Sequence, residues 1–80
     1  MSPVVLQSPL PGTFYRRPSP DRAPFKADGD PVAASDVIGV IEVMKSFNEV
    51  QAGVDGTSIR FLVEDGDAVM AGEALAEVQT

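Results

Sequence analysis

Val40-Ile41-Glu42-Val43-Met44-Lys45-Ser46-Phe47-Asn48-Glu49-Val50-Gln51-Ala52 is the run of sequence that decides the fold, and it lies between Gly39 and Gly53. Its apolar residues recur at positions 40, 43, 44, 47 and 50. This spacing is typical of an amphipathic helix, and taken alone it would predict one. The rest of the chain argues against a helix, because the run takes part in an internal repeat.

The clearest sign of that repeat is a pair of seven-residue segments. Residues 28–34 read Asp-Gly-Asp-Pro-Val-Ala-Ala and residues 65–71 read Asp-Gly-Asp-Ala-Val-Met-Ala, so five of seven positions are identical at an offset of 37. Upstream, Leu6-Gln7 matches Val50-Gln51 at an offset of 44. The repeat predicts two quasi-symmetric halves packed face to face. The alternative is a chance similarity between two turns rich in Gly and Asp.

The repeat also decides how the central run folds. Residues 50–52 correspond to Leu6-Gln7-Ser8, which leads into Pro9 and Pro11 and therefore favours extended backbone. Residues 38–43 correspond to residues 75–80, an apolar segment too short for a stable helix. We therefore predict two strands that meet in a hairpin near Met44-Lys45-Ser46.

Short apolar segments between Gly, Pro and Asp turns predict the other strands. The predicted segments are Val4–Gln7, Thr13–Arg16, Val37–Val43, Ile59–Glu64 and Ala74–Gln79. The two offsets, 44 and 37, place seven extra residues in the first half, between about Tyr15 and Phe25. Three prolines and three arginines predict that this insertion is a stiff, exposed excursion.

Composition limits the functions that the chain can have. Eighty residues predict a single domain, 1–80, and the net charge of -6 argues against partners such as nucleic acid or an anionic membrane. The chain has no cysteine and no histidine, which removes thiol chemistry and the commonest general base and metal ligand, so we expect no metal site. Without a long apolar run or a basic leader segment, the expected location is cytoplasmic.

Lys45 stands out as a candidate functional residue. It is one of two lysines, and the hairpin prediction places it at the tip, beside Met44. An exposed methionine is unusual, since methionine normally fills gaps in a core. The alternative is an ordinary surface lysine.

The residues around Lys45 resemble the attachment motif of biotinyl domains. Glu42, Met44 and Asn48-Glu49 keep that motif, whereas Val43 and Ser46-Phe47 depart from it. The resemblance implies that biotin is attached covalently to Lys45 by a biotin protein ligase. It also implies that the ligase reads the hairpin through Met44 and Glu42, with Val43 and Ser46 beside them.

Ser8–Arg16 resembles the opening of the biotin carboxyl carrier proteins of acetyl-CoA carboxylase, and the insertion resembles their thumb. The implied fold is a flattened antiparallel β-barrel, or barrel-sandwich hybrid, of two four-stranded halves. The implied role of Ser19, Pro20 and Asp21 is to brace the biotin ring, although a solvated loop without contacts is the alternative. The implied function is carriage of a carboxyl group from biotin carboxylase to carboxyltransferase, which converts acetyl-CoA into malonyl-CoA.

Two other functions are compatible with this fold. A lipoyl domain also modifies a hairpin lysine, but it typically has Asp and Ala where this chain has Met44 and Ser46. An unmodified interaction module would leave Lys45 as a surface charge. A free-standing enzyme is disfavoured, because the sequence shows no base, nucleophile pair or metal set.

Overall fold

The computed structural model describes residues 3–80, and the regular structure in this range consists of seven β-strands. They are β1 (Val4–Gln7), β2 (Gly12–Tyr15), β3 (Val37–Val43), β4 (Ser46–Gln51), β5 (Ser58–Phe61), β6 (Asp67–Val69) and β7 (Ala74–Gln79). Within residues 3–80 no helix is long and apolar enough to cross a membrane. The predicted all-β fold class and the hairpin in the central run are confirmed.

The strands form two antiparallel sheets, ordered β1-β7-β5 and β4-β3-β2-β6. Each sheet takes strands from both halves of the chain, so neither half makes a sheet by itself. The buried core consists of apolar side chains from both sheets and the loops that join them: Leu6, Phe14, Val32, Ile38, Ile41, Val50, Ala52, Ile59, Val69, Leu75, Ala76 and Val78. This arrangement is the predicted flattened barrel-sandwich.

Strand registers confirm the internal repeat. Val4 lies opposite Val78 in the β1–β7 pair, and Asn48 lies opposite Ile41 in the β4–β3 pair. These pairs are related by the offsets of 44 and 37 that the sequence predicts. Both strand pairs also carry their register irregularity at the equivalent step. The two sheets are therefore related by an approximate twofold axis.

One sheet has three strands where four were predicted. The counterpart of β6 in the first half is a single residue, Val32, which forms an isolated bridge with Gly56. Val69 of β6 pairs with Gly12 in the equivalent place. Pro31, which precedes Val32, has no backbone N–H to donate, and this explains why a bridge replaces a strand.

Turns that flank the core repeat their side-chain hydrogen bonds as well. Asp30 accepts a hydrogen bond from the backbone N–H of Ala27 at 2.9 Å. Asp67 accepts one from the backbone N–H of Glu64 at the same distance of 2.9 Å. The shared Asp-Gly-Asp sequence thus encodes two copies of one turn.

Further details of the sequence-based predictions were wrong. The strands predicted at 13–16 and 59–64 are Gly12–Tyr15 and Ser58–Phe61, since the chain bends at positions 62 and 63. Strand β6 was not predicted. Phe14 lies opposite Ile41 as Ile59 lies opposite Val78, which is an offset of 45, so the insertion has eight residues where seven were predicted.

Candidate functional site

Met44 and Lys45 form the two-residue turn of the β3–β4 hairpin, between the paired residues Val43 and Ser46. Both have positive φ angles, 50° for Met44 and 69° for Lys45. Two successive positive φ angles are typical of a type I′ turn, which Asn and Gly normally occupy. Each L-residue with a side chain costs about 1–2 kcal/mol in this left-handed region. The chain therefore holds a strained turn at its candidate site, as functional sites often do.

The lysine amine on this turn lies free in solvent. Met44 is 94% exposed, and Lys45 beside it is exposed too. Within residues 3–80, the three salt bridges join other pairs and no hydrogen bond involves the Lys45 side chain.

The amine of the second lysine, Lys26, is paired with other groups. The Nζ atom of Lys26 lies 3.0 Å from Oδ2 of Asp36 and donates a hydrogen bond to the carbonyl of Pro31 at 3.1 Å. Of the two lysine amines in the sequence, Lys45 is thus the one available to a modifying enzyme.

The residues flanking the turn differ in their exposure. Val43 is half-buried and packs against the core, whereas Ser46 is exposed. Glu42 is half-buried and accepts a hydrogen bond from the hydroxyl of Tyr15 at 3.2 Å. The base of the hairpin is therefore fixed while its tip is exposed.

Residues 16–25, which contain the eight-residue insertion, form a closed loop that we call the thumb. The backbone N–H of Phe25 donates to the carbonyl of Arg16 at 2.9 Å and closes it. The guanidinium of Arg16 lies 4.0 Å from the centroid of the Phe61 ring and 3.8 Å from Asp28. These contacts anchor the thumb to the barrel at its base.

The thumb folds over the outer face of the four-stranded sheet and leaves a groove of about 430 Å³. Arg17, Pro18, Ser19 and Pro20 line it from the thumb, and Tyr15, Val40, Glu42, Phe47 and Asp65 line it from the barrel. The thumb explains why Val40 is only 6% exposed although it lies outside the core cluster.

Not all predicted site residues meet in this groove. Ser19, Pro20 and Glu42 line it, but Met44, Lys45 and Ser46 do not. Asp21 is absent from its lining too, and its carboxylate accepts a hydrogen bond from the Ser19 hydroxyl at 2.6 Å. That bond lowers the pKa of Asp21 below its ordinary range.

Sequence reasoning missed the groove roles of Arg17 and Phe47. Phe47 is 62% exposed, lies opposite Glu42 in the hairpin and also lines a second cleft, together with Pro18 and Phe25. An aromatic residue next to an exposed turn was the available signal. Arg17 gave no signal, since arginine in a proline-rich loop is ordinary.

Burial and acidic neighbours together raise the pKa of Tyr15. Burial of the phenol is the largest cause, followed by its hydrogen bond to Glu42 and the negative charges of Glu42 and Asp65. The Tyr15 phenol therefore stays protonated, and able to donate to Glu42, to a higher pH than an ordinary tyrosine. Within residues 3–80 no group of three or more acidic side chains is arranged to hold a metal ion.

Comparisons with known proteins give a family match and several similar proteins. A family model described as biotin-requiring enzyme matches residues 4–78. The biotin carboxyl carrier protein of acetyl-CoA carboxylase from Pyropia yezoensis is 44% identical over 77 residues, which are 96% of this chain and 49% of that protein. The protein of the same name from Chlamydia pneumoniae is 40% identical over 73 residues, 91% of this chain and 44% of that protein.

A chloroplastic protein is similar to the chain as well. The biotin carboxyl carrier protein of acetyl-CoA carboxylase 2 from Arabidopsis thaliana is 45% identical over 64 residues, 80% of this chain and 25% of that protein. The chain therefore spans about half, or less, of the length of the curated relatives that it matches.

Proposed function

The chain belongs to the biotin-requiring enzyme family, and from this premise we propose that it is a non-catalytic biotin carrier whose biotin is attached to Lys45. The observation that carries the proposal is the contrast between two lysines. The amine of Lys45 is exposed on a strained turn, whereas Lys26 is paired with Asp36. A carrier needs one addressable amine on a rigid base, and the β3–β4 hairpin supplies both.

The chain's own part in attachment is to present the amine. We propose that a biotin protein ligase supplies the activated acyl group, and that the Lys45 amine attacks it to form an amide while a proton and AMP leave. The ligase would recognise the exposed Met44 and the adjoining Glu42, Val43 and Ser46. Because the turn is held by the Val43–Ser46 pair, the amine needs no rearrangement to be presented.

The residues present fit biotin in two ways. Lys45 offers the attachment point, and the groove under the thumb has a volume in the range of small-molecule sites. Phe47 lies two residues from Lys45, roughly 7 Å along an extended strand. A biotinyl-lysine arm of about eleven bonds spans on the order of 12 Å when extended, so its ring reaches the groove. We propose that Ser19 and Pro20 brace the ring there, with Asp21 holding Ser19 in place.

When bound, biotin supplies a ureido nitrogen that accepts and releases a carboxyl group. By the names of the relatives, we propose that the complete protein serves acetyl-CoA carboxylase. Its partners would be a biotin carboxylase and a carboxyltransferase. Tethering raises the local concentration of the ring at both enzymes. The single domain 1–80 and the cytoplasmic location stay predictions from the sequence.

The test is intact mass spectrometry after co-expression with a biotin ligase. We expect one biotinyl adduct on the wild-type chain, none on Lys45→Arg, and one on Lys26→Arg as the matched control. A lipoyl adduct would instead support the lipoyl alternative, and an unmodified wild-type chain would support the interaction module. A second measurement tests carriage, namely ATP-dependent transfer of label from bicarbonate to the modified chain by biotin carboxylase.

A further inference from the structure

The groove under the thumb contains a cation with unused hydrogen-bonding capacity. Arg17 lines the groove from the thumb, and its Nη1 atom donates to the carbonyl of Arg22 at 3.2 Å. Its Nε atom is buried and has no partner among the described residues. Its Nη2 atom has no partner among the described residues and, unlike Nε, is accessible, so it can donate to an acceptor brought by a ligand.

Two carboxylates, those of Glu42 and Asp65, line the same groove as Arg17. Glu42 accepts from the Tyr15 hydroxyl through Oε1, and within residues 3–80 it accepts no second hydrogen bond. Asp65 accepts from the backbone N–H of Arg16 at 2.7 Å. With one guanidinium and two carboxylates, the lining has a formal charge of -1, in a chain whose net charge is -6.

We propose that this groove is charge-selective: it binds a neutral cyclic urea and rejects the same ring when the ring carries a carboxylate. A cyclic urea presents one carbonyl acceptor and N–H donors, which match the guanidinium of Arg17 and the carboxylate of Glu42. The apolar walls formed by Val40, Phe47 and Pro20 suit the rest of the ring. This inference rests on the proposed function, in which the ring is that of biotin on Lys45.

Carboxylation changes both features that the groove recognises. A ureido N–H is replaced by N–CO2⁻, with bicarbonate as the carbon source, ATP cleaved to ADP and phosphate, and the nitrogen's proton released, so one donor is lost and one negative charge is gained. That charge would lie among the guanidinium of Arg17 and the carboxylates of Glu42 and Asp65, where the two like charges outweigh the one opposite charge. Within one groove near a protein surface, like charges shift an equilibrium on the order of tenfold. The empty arm therefore rests under the thumb, and the loaded arm is released for delivery.

The experiment uses the biotinylated chain labelled with ¹⁵N and records its backbone amide spectrum with and without carboxylation by biotin carboxylase, ATP and bicarbonate. In the uncarboxylated form, we expect the amides of Ser19 and Phe47 to differ from those of the unmodified chain. On carboxylation, they should return toward the positions of the unmodified chain.

Asp65→Asn tests the cause. The asparagine oxygen still accepts from the Arg16 N–H, so the turn is preserved while the charge is removed. In this variant the carboxylated form should keep several-fold more of the groove-bound signal. Glu64→Gln is the matched control, because Glu64 carries the same charge on the neighbouring exposed position and does not line the groove. It should behave as wild type.

Three outcomes are distinguishable. Absence of a biotin adduct by intact mass would contradict the proposed function itself. An adduct with identical Ser19 and Phe47 amides in the carboxylated and uncarboxylated forms would overturn charge selectivity alone. An equal response of Asp65→Asn and Glu64→Gln would also overturn it, since the groove carboxylate would then have no specific effect.

Discussion

The hydroxyl group of Tyr15 donates a hydrogen bond to Oε1 of Glu42, 3.2 Å away, across the β2–β3 pair. Thr13 lies directly opposite Glu42, so Tyr15 reaches it diagonally from two residues along β2. This bond joins the strand that leads into the thumb to the strand that leads into the lysine turn. It couples the titration of the phenol to the carboxylate that lines the groove.

Tyr15 is the single tyrosine of the chain, so its titration can be followed directly by ultraviolet absorbance of the phenolate. We expect a pKa above its ordinary value of 10.0, because burial and Glu42 both disfavour the charged phenolate. In Glu42→Gln the pKa should fall but stay raised, since burial is the largest cause. A wild-type pKa at the ordinary value would contradict the described environment.

Gly39 is required by the size of Phe14. A Cβ atom at position 39 would lie 2.5 Å from Cε1 of Phe14 and 2.7 Å from the carbonyl oxygen of Tyr15. In the other half, Ala76 is equivalent to Gly39 and Ile59 is equivalent to Phe14. The larger side chain, Phe14, is therefore accompanied by the smaller residue, Gly39. We expect Gly39→Ala to lower the free energy of unfolding by about 1–3 kcal/mol, measured by urea denaturation.

Phe14→Ile supplies the control for that substitution. Alone it should destabilise, because it removes buried ring atoms. In combination with Gly39→Ala it recreates the pair found in the other half, so the double variant should be more stable than the two single effects added together. If the two changes in the free energy of unfolding were additive, the Gly39→Ala substitution would not act through the Phe14 ring.

Relief of turn strain should be measurable at Met44. Asparagine tolerates a positive φ better than methionine, so Met44→Asn should raise the free energy of unfolding by roughly 0.5–1 kcal/mol. Ser46→Asn, in the adjoining strand, should give no gain. If both variants were equally stable, the strain assigned to the turn would be wrong.

Asp36 makes the free energy of unfolding depend on pH. Its carboxylate accepts a hydrogen bond from the backbone N–H of Ala33 at 2.9 Å, and this bond, followed by Lys26, lowers its pKa below 3.8. The folded form therefore holds the ionised carboxylate better than the unfolded form does. This contribution is complete above about pH 5 and is lost as the pH falls through the lowered pKa.

Asp36→Asn should consequently lower the free energy of unfolding near neutral pH. It should also make that free energy fall less steeply as the pH is lowered into the acid range. Urea midpoints at neutral pH and near pH 3 measure both effects. Glu49→Gln, on an exposed position of β4, serves as the control and should leave the profile almost unchanged. Parallel profiles for wild type and Asp36→Asn would contradict this assignment.

Much of the fold could be predicted because the sequence contains the same structural motif twice. The ambiguous central run has helical periodicity, and its matches to residues 6–8, which lead into prolines, and to residues 75–80 identified it as a hairpin. Strand β6 was missed because three residues are too short to show alternation. Its extent depends on the pairing with β2, which no local pattern encodes.

The candidate site was predictable to a smaller degree. The position of Lys45 follows from the hairpin, but the groove depends on how the thumb packs on the outer face of the sheet. Val40 looked like one more apolar strand residue, and its burial under the thumb is a tertiary contact without a sequence signature. Asp21 was expected at the ring, but it does not line the groove, whereas Arg17 of the thumb does.

The twofold relation between the sheets has a consequence for handling the molecule. Under this relation, the Met44–Lys45 turn is equivalent to the position where β7 ends beside the start of β1. The pairing of Val78 with Val4 shows that these two strand ends are adjacent. A linker, dye or solid support joined near either end of the described chain would therefore sit across the axis from the lysine. Immobilised in that way, the barrel keeps its amine facing outward, toward any enzyme in the surrounding solution.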